Sequence, residues 1–392
     1  MPIGTTMTGS WFRTAEILKL LPAAPRGEIP QEHRAVIEAA ERRAVRDQLH
    51  PNGSPMGLSW VSNGEQRKAG YTQYLPNRYS GFSKTEVAPM PFPPRLLEEF
   101  LESNPQMGAL MQTQAGAKAF SLAKIVDRLE YLGADAAVAE ARDAARLAKE
   151  EGAKRIFVPS ASPGVVTLFF ANNPAVYRTH LDYLSDVSKQ QRAEYRAILS
   201  VDGVDLQIDA PDLAMGKQTA GDWDIDFYDA LRHHVDAIND AIAGLPAERI
   251  RVHYCYGNWL GSHRFDADFS KVLAEVTRLK VGLLVGEFAN PRHEGDFIAL
   301  QQHVKEHGWP RGLRFAIGVL DVKTPFVESP ETVALRLERG AQIIGAENVL
   351  GGSDCGFETF ANFGNVPYKV GLLKLESMAR GADLAGRRLG GA

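Results

Sequence analysis

The sequence has little of what marks exported, membrane-spanning or nucleic-acid-binding proteins. It contains only two cysteines in 392 residues, and its formal net charge of −4 gives no electrostatic attraction for nucleic acid or an anionic membrane. No apolar run approaches the roughly 18 residues of a membrane-spanning helix. Residues 1–6 show no basic region followed by an apolar run, so we expect a cytoplasmic location. In that reducing compartment the cysteines are expected to be thiols or metal ligands.

The composition and the order of strand-like and helix-like runs favour an α/β barrel. The chain is 44% hydrophobic and 23% charged, which is typical of a globular protein with a large core. Strand-like runs alternate with helical patterns and each is followed by a polar or glycine-rich loop, as in a (β/α)8 TIM barrel. A doubly wound open sheet is the alternative, but no glycine-rich nucleotide fingerprint follows the first run. The strand-like runs are residues 2–9, 57–62, 155–159, 203–209, 249–253, 281–285, 313–318 and 348–350.

One segment interrupts the alternation. The sequence predicts an irregular, Pro-rich insertion after strand two, over residues 75–120, with a short helix at 95–102. The prolines that exclude a long regular element are Pro76, Pro89, Pro91, Pro93 and Pro94. An insertion of this size is typical of a lid or of a contact in a homo-oligomer. Residues 121–152 are predicted to form two helices joined near Gly133. We expect residues 1–392 to be a single TIM-barrel domain.

Four side chains at predicted strand ends have the chemistry of a metal site. His253 and Cys255 are two residues apart on one strand, so they point to the same side, about 6–7 Å apart along the chain. Glu287 and Cys355 follow two other strands, and all strand ends of a barrel meet at one rim. One imidazole, two thiolates and one carboxylate match tetrahedral zinc. A Cys255–Cys355 disulfide and a closed structural zinc are the alternatives.

The ligand set also indicates what the metal would do. Two thiolates make a zinc site electron-rich and poor at activating water, but suited to binding a substrate thiol as a nucleophilic thiolate. Glu287 is the hardest of the four ligands, so we expect it to give way to the incoming sulfur. Aromatic residues beside the predicted loops are candidates for the walls of a substrate pocket; they are Trp11, Phe12, Tyr71, Tyr74, Tyr256 and Trp259.

Three short motifs carry a resemblance to a known family. His-x-Cys at 253–255, Gly-Glu at 286–287 and Ser-Asp-Cys-Gly at 353–356 resemble the zinc site of cobalamin-independent methionine synthase. The resemblance covers most of the chain and corresponds to the C-terminal catalytic barrel of that enzyme. It implies a barrel fold, a zinc cofactor and methyl transfer to a thiol, as in the reaction of 5-methyltetrahydrofolate with homocysteine. The short relatives also include enzymes similar to epoxyalkane:coenzyme M transferase.

The same resemblance implies roles for five more residues. Ser10, in a Gly-Ser pair, and Glu65, in a Gly-Glu pair, match positions that bind the amino-acid substrate. Asp209 matches the aspartate of an Ile-Asp-Glu-Pro motif, in which this chain has alanine in place of the glutamate. Asp321 and Lys323 lie in the strand-seven motif and are the predicted catalytic residues, with Lys323 standing where the long enzyme has a proton-donating histidine.

The sequence therefore predicts a zinc-dependent methyl or alkyl transfer to a small-molecule thiol. Methylfolate or a methylated corrinoid is the expected alkyl donor, and neither nucleic acid nor a membrane is an expected partner. The first alternative is the opening of an epoxide by a thiol, as in coenzyme M chemistry. The second is a zinc hydrolase, and a metal-binding scaffold without enzymatic activity is the third.

Overall fold

The computed structural model describes residues 2–21, 27–114 and 120–390. Its strands are β1 Gly4–Thr5, β2 Val61–Ser62, β3 Tyr79–Pro89, β4 Ser121–Tyr131, β5 Ile156–Ala161, β6 Val204–Asp209, β7 Ile250–His253, β8 Leu283–Gly286, β9 Arg314–Leu320 and β10 Val349–Ser353. Its α-helices are α1 Ala15–Leu20, α2 Arg34–Leu49, α3 Leu75–Arg78, α4 Pro94–Ser103, α5 Pro105–Met111, α6 Ala134–Glu151, α7 Pro163–Phe169, α8 His180–Leu199, α9 Gly216–Thr219, α10 Phe227–Ala241, α11 Phe269–Val276, α12 Phe297–His307, α13 Pro330–Ile344 and α14 Tyr368–Gly390.

Eight of the strands form one parallel sheet in the order β1-β10-β9-β8-β7-β6-β5-β2. From β5 to β10, strands that follow one another in the chain are also neighbours in the sheet. A doubly wound sheet would instead show a reversal of the strand order. A parallel bridge between Thr6 and Trp60 joins the two edge strands. The predicted α/β class with eight parallel strands is confirmed, and the sheet curls until its edges meet.

The packing inside the sheet also reflects this curl. One buried cluster consists of Trp60, Phe157, Leu283, Val285, Ala316 and Leu350. These side chains come from strands near both ends of the sheet order, so they pack against one another across the interior. The larger core lies on the other face, between the sheet and the surrounding helices. Strands buried on both faces are typical of parallel sheets covered by helices.

The segment between β2 and α6 is more regular than predicted. β3 pairs with β4 in an antiparallel ribbon, from Tyr79 opposite Tyr131 to Pro89 opposite Ser121. The prediction of an irregular 75–120 segment is therefore wrong for β3, and the helix predicted over 121–131 is wrong as well. Residues 121–131 are charged and rich in helix formers, but their partner strand lies about 40 residues away, where local patterns do not reveal it.

Helix α13 begins at a side-chain cap. The Ser329 side chain accepts a hydrogen bond from the Thr332 amide, and Pro330 occupies the first helical position. This arrangement satisfies one of the backbone donors that have no partner within the helix.

Ser329→Ala is expected to lower the free energy of unfolding by about 1 kcal/mol, because the Thr332 amide loses its acceptor. Chemical denaturation of the two proteins would measure this difference. Ser329→Thr keeps a hydroxyl cap and serves as the control. An equal loss of stability in both variants would contradict the capping role.

Within the described ranges, no helix combines the length and apolarity needed to cross a membrane.

Candidate functional site

Three of the four predicted metal ligands come together at the carboxyl ends of two strands. His253 is the last residue of β7, Cys255 follows it by two positions, and Cys355 lies two positions after β10. One donor atom from each lies within 4.8 Å of the others, and all three side chains are buried. The two Sγ atoms are 3.9 Å apart. Two sulfurs bound about 2.3 Å from one tetrahedral zinc lie roughly 3.8 Å apart, so the pair fits this ion.

The surroundings of these donors also suit a cation. Nε2 of His253 is buried without a hydrogen-bond partner of acceptable geometry among the described residues, while Nδ1 lies 3.5 Å from Thr8 Oγ1. Hydrogen bonding with Cys255 holds the pKa of Cys355 well below its ordinary value. The same contact, together with burial, raises the pKa of Cys255 well above its ordinary value. A cation bound between the two sulfurs would lower both pKa values and stabilise both thiolates.

Glu287, the fourth predicted ligand, lies next to this group but is not part of it. Its Oε1 accepts a hydrogen bond from the Tyr256 amide at 3.0 Å, one residue from Cys255. Its Oε2 accepts hydrogen bonds from Lys323 Nζ at 2.6 Å and Asn290 Nδ2 at 2.7 Å. Both carboxylate oxygens therefore have protein donors in this state of the site.

The predicted catalytic residues belong to the surroundings of Glu287. Although burial lowers the pKa of Lys323, the carboxylates of Glu287 and Asp354 outweigh it and raise the pKa overall, so Lys323 carries an ammonium. Asp321 accepts hydrogen bonds from the Lys323 amide at 2.8 Å and from Thr324 Oγ1 at 2.9 Å, which closes a turn. Neither Asp321 nor Lys323 is among the described residues that line the cavity. Their catalytic role remains a prediction.

Asp354 is a functional candidate that sequence reasoning did not assign. Its Oδ1 accepts hydrogen bonds from the amides of Phe288 and Ala289, and its Oδ2 from the amide and side chain of Asn290. These contacts fix the loop that carries Glu287. Burial, with Glu287 nearby, raises the pKa of Asp354 to about 7. In the sequence, the place of Asp354 in the Ser-Asp-Cys-Gly motif is the feature that could have indicated such a role.

The three predicted substrate-binding residues line the same cavity as the metal donors. Ser10, Glu65 and Asp209 border a cavity of about 250 Å³ together with His253 and both cysteines. The structure therefore brings together residues that are as far apart as positions 10 and 355 of the chain.

Two buried carboxyl groups with raised pKa values line this cavity. Burial, and then the neighbouring Asp209, raises the pKa of Glu65 to about 8. Burial also raises the pKa of Asp209 to about 6, and Gln207 donates a hydrogen bond to it at 2.7 Å. Oε2 of Glu65 has no hydrogen-bond partner in the described part of the chain. A Cβ at Gly9 would lie 2.4 Å from Glu65 Oε1, so only glycine leaves this carboxylate its place.

The rest of the cavity wall is apolar and was largely missed from the sequence. Of the candidate aromatic residues, Tyr71 and Trp259 line the cavity, whereas Trp11 and Phe12 pack in the core. The wall residues that the sequence did not indicate are Met90, Phe92, Leu96, Leu110, Phe120, Phe169, Met215, Phe360 and Phe363. Several of them lie on or beside α4 and α5, which contain no chemical motif.

Comparison with known proteins identifies the family. A family model described as "Cobalamin-independent synthase, Catalytic domain" matches residues 174–370, which is half of the chain. The chain belongs to this family. The cobalamin-independent synthase match contains both cysteines, His253, Glu287 and Asp209.

Curated relatives point to the same family. A methionine synthase from Methanothermobacter thermautotrophicus is 27% identical over 231 residues, 56% of this chain and 63% of the relative. A 2-hydroxypropyl-CoM lyase from Xanthobacter autotrophicus is 26% identical over 215 residues, 49% of this chain and 54% of that protein. The match thus spans less than two thirds of either relative. A methionine synthase from Thermococcus kodakarensis is 23% identical over 98% of this chain and 94% of its own.

Solved structures of the synthases share the fold. The chain resembles a B12-independent methionine synthase from Shewanella sp., solved in complex with selenomethionine, with a TM-score of 0.70, 17% identity and full coverage of both chains. A putative vitamin-B12-independent methionine synthase from Listeria monocytogenes gives a TM-score of 0.62 at 17% identity, over 97% of each chain. At these identities the likeness is one of fold.

Proposed function

We propose that the chain is a zinc-dependent enzyme that transfers a methyl or other alkyl group to a substrate thiol. It does so on a single (β/α)8 barrel, with residues 75–120 as an insertion that covers the site. The observation that carries this proposal is the group formed by His253, Cys255 and Cys355, which borders a cavity that is also lined by two buried carboxyl groups, those of Glu65 and Asp209. Bound there, zinc would lower the pKa of a substrate thiol and keep it as a nucleophilic thiolate.

The residues around the donors would select and orient the thiol. Glu65 and Asp209 place two carboxyl groups inside the cavity, and an ammonium beside them would lower their raised pKa values and favour their ionised forms. They therefore favour a thiol that carries an ammonium group, such as an amino-acid thiol. Ser10, beside them, offers a hydroxyl for the polar end of the same molecule. The apolar wall keeps water from the reacting sulfur and from the carbon that it attacks.

We also propose Glu287 as the fourth ligand in the absence of substrate. Its contact with the Tyr256 amide holds it one residue from Cys255. Lys323, at 2.6 Å from Glu287, would hold this carboxylate beside the metal donors and balance its charge. Lys323 would thus position Glu287, while Asp321 holds the turn that presents Lys323.

Opening of an epoxide by the same thiolate is the second candidate function. It is favoured by the similarity to a 2-hydroxypropyl-CoM lyase and by the apolar wall, which suits an uncharged ring. Hydrolysis is the weaker alternative, because two thiolates reduce the ability of zinc to activate water.

Cobalt substitution tests direct binding of the thiol. The visible spectrum of the cobalt-loaded protein is expected to change when an aminothiol is added, because a sulfur replaces an oxygen donor. A spectrum that does not respond to any thiol would contradict the proposal and favour a closed structural site. His253→Ala is expected to lose the cobalt spectrum, and His307→Ala, at a solvent-exposed histidine, is the matched control that keeps it.

A further inference from the structure

A continuous row of aromatic rings forms one wall of the cavity. Phe120 contacts Phe92 with ring centroids 6.2 Å apart, and Phe92 contacts Phe169 at 6.4 Å. Phe169 then meets Tyr71 at 5.6 Å, and Tyr71 meets Phe360 at 5.4 Å. All five residues line the cavity that holds the metal donors. The wall is therefore a connected apolar surface and not a set of isolated rings. The part of the cavity that these five rings border is called the aromatic chamber below.

No cationic side chain completes this cavity. Among the described residues that line it there is no lysine and no arginine, while Glu65 and Asp209 contribute carboxylates. Two cations close to these carboxylates are already engaged. Lys68 lies 3.1 Å from Glu140 and donates to the Pro159 carbonyl, and Arg13 donates to backbone carbonyls and pairs with Glu358. A carboxylate, phosphate or sulfonate against the aromatic wall would lose its hydration without gaining a lysine or arginine as a partner.

Helices α4 and α5 cover the chamber. Leu96 of α4 and Leu110 of α5 contribute to its lining. Helix α4 is held against the loop after β7 by Arg264, which pairs with Glu98 at 3.0 Å and Glu102 at 3.1 Å. The Glu99 carboxylate accepts a hydrogen bond from the His263 amide at 2.6 Å in the same contact. An apolar molecule under these helices is removed from water, which favours its binding.

We propose that the electrophile of this enzyme is an uncharged molecule whose apolar, ring-sized body occupies the aromatic chamber. This inference rests on the proposed function, because it assigns the partner of the substrate thiol. The part of the donor that enters the cavity carries no anionic group. The thiol, not the electrophile, supplies the charged group, and Glu65 and Asp209 recognise it as an ammonium.

Two reactions are compatible with an uncharged electrophile, and both balance without an oxidant. With a methyl ether or thioether, the thiolate sulfur forms a bond to the methyl carbon and the bond from that carbon to oxygen or sulfur breaks. The leaving atom keeps the bonding pair and takes up one proton, equal to the one that the thiol released. With an epoxide, the sulfur–carbon bond replaces one ring carbon–oxygen bond, and the oxygen becomes a hydroxyl with that proton.

Binding of a matched pair of small aromatics tests the chamber. Benzyl alcohol and benzoate have nearly the same size and differ in charge. Calorimetric titration of the full chain, with and without added zinc, is expected to give at least about tenfold tighter binding of benzyl alcohol, a difference of about 1.4 kcal/mol. Equal binding, or tighter binding of benzoate, would overturn the proposal.

A pair of leucine variants tests whether the preference for benzyl alcohol over benzoate arises in the aromatic chamber. Leu110 and Leu101 are 39% and 40% exposed, but only Leu110 lines the cavity. Leu110→Lys is expected to bring an ammonium to the chamber and to reduce the preference for benzyl alcohol by at least about threefold. Leu101→Lys is expected to keep the preference of the unaltered protein. If both variants behave alike, the preference does not arise in this chamber and the proposal is wrong.

Different results would refute the proposed transferase function and the proposed uncharged electrophile. The preference for an uncharged ligand does not require zinc or a thiol, so it would persist if the transferase function were wrong. Thiol-dependent turnover of styrene oxide would mark epoxide opening, and turnover of methyl phenyl sulfide would mark methyl transfer. Turnover confined to donors whose aromatic ring carries a carboxylate would establish the transferase and refute the uncharged electrophile.

Discussion

Cys255→Ser and Cys355→Ser are each expected to abolish stoichiometric zinc binding and to lower thiol-dependent turnover more than about 100-fold. Loss of an outer hydrogen-bond partner of a metal ligand already costs about 10- to 100-fold, and here a ligand itself is lost. The reason is geometric, because the two sulfurs lie 3.9 Å apart and each supplies half of the negative charge that zinc would neutralise. Zinc content by atomic absorption and initial rates would be measured on the same preparations.

The fold of the two serine variants has to be checked separately. Both cysteines are buried, so the substitution also changes packing. Circular dichroism and thermal unfolding of the metal-free proteins are expected to be similar for the variants and the unaltered chain, because serine is close in size to cysteine. A variant that keeps its fold, lacks zinc and still turns over at the full rate would refute the zinc mechanism.

Glu65→Gln and Asp209→Asn are expected to raise the KM for an aminothiol by about ten- to a hundredfold, with zinc content unchanged. Each substitution removes a carboxyl group that would ionise beside the bound ammonium, and a hydrogen bond to a charged group contributes about 1.5–3 kcal/mol. The measurement is steady-state kinetics at saturating electrophile, together with zinc analysis.

A thiol without an amino group provides the control for these variants. The unaltered enzyme is expected to bind it weakly, and neither substitution should weaken that binding further, because there is no ammonium to lose. If Glu65→Gln weakens both thiols equally, the carboxylate acts on the shape of the cavity and not on the ammonium. If either variant loses zinc, the residue belongs to the metal site.

The eight parallel strands could be predicted because their sequence pattern is local. Apolar runs that end in polar or glycine-rich loops indicate buried strands wherever they occur, and β5 to β10 follow this pattern closely. Strand β4 could not be predicted in this way. Its residues are compatible with a helix, and only pairing with β3, about 40 residues earlier, makes it a strand.

The same contrast between local sequence patterns and long-range contacts applies to the candidate site. His253, Cys255 and Cys355 could be predicted as a group, because strand ends meet at one rim and few residue types bind zinc. The contacts of Glu287 with Lys323 and Asn290 depend on side-chain positions that the sequence does not specify. The aromatic wall depends on how α4 and α5 pack above the sheet, and phenylalanine carries no signal that separates a cavity wall from an ordinary core.

The metal donors and most of the apolar cavity wall lie on different parts of the chain, which has a consequence for how substrate preference could be changed. The proposed ligands and Asp209 lie within the region that matches the family, whereas Met90, Phe92, Leu110, Phe120 and Phe169 all lie before it. On the proposed function, changes in the covering helices would therefore alter the carbon compound that is accepted while the metal donors stay intact. The covering segment is accordingly the part to exchange when a different electrophile is wanted.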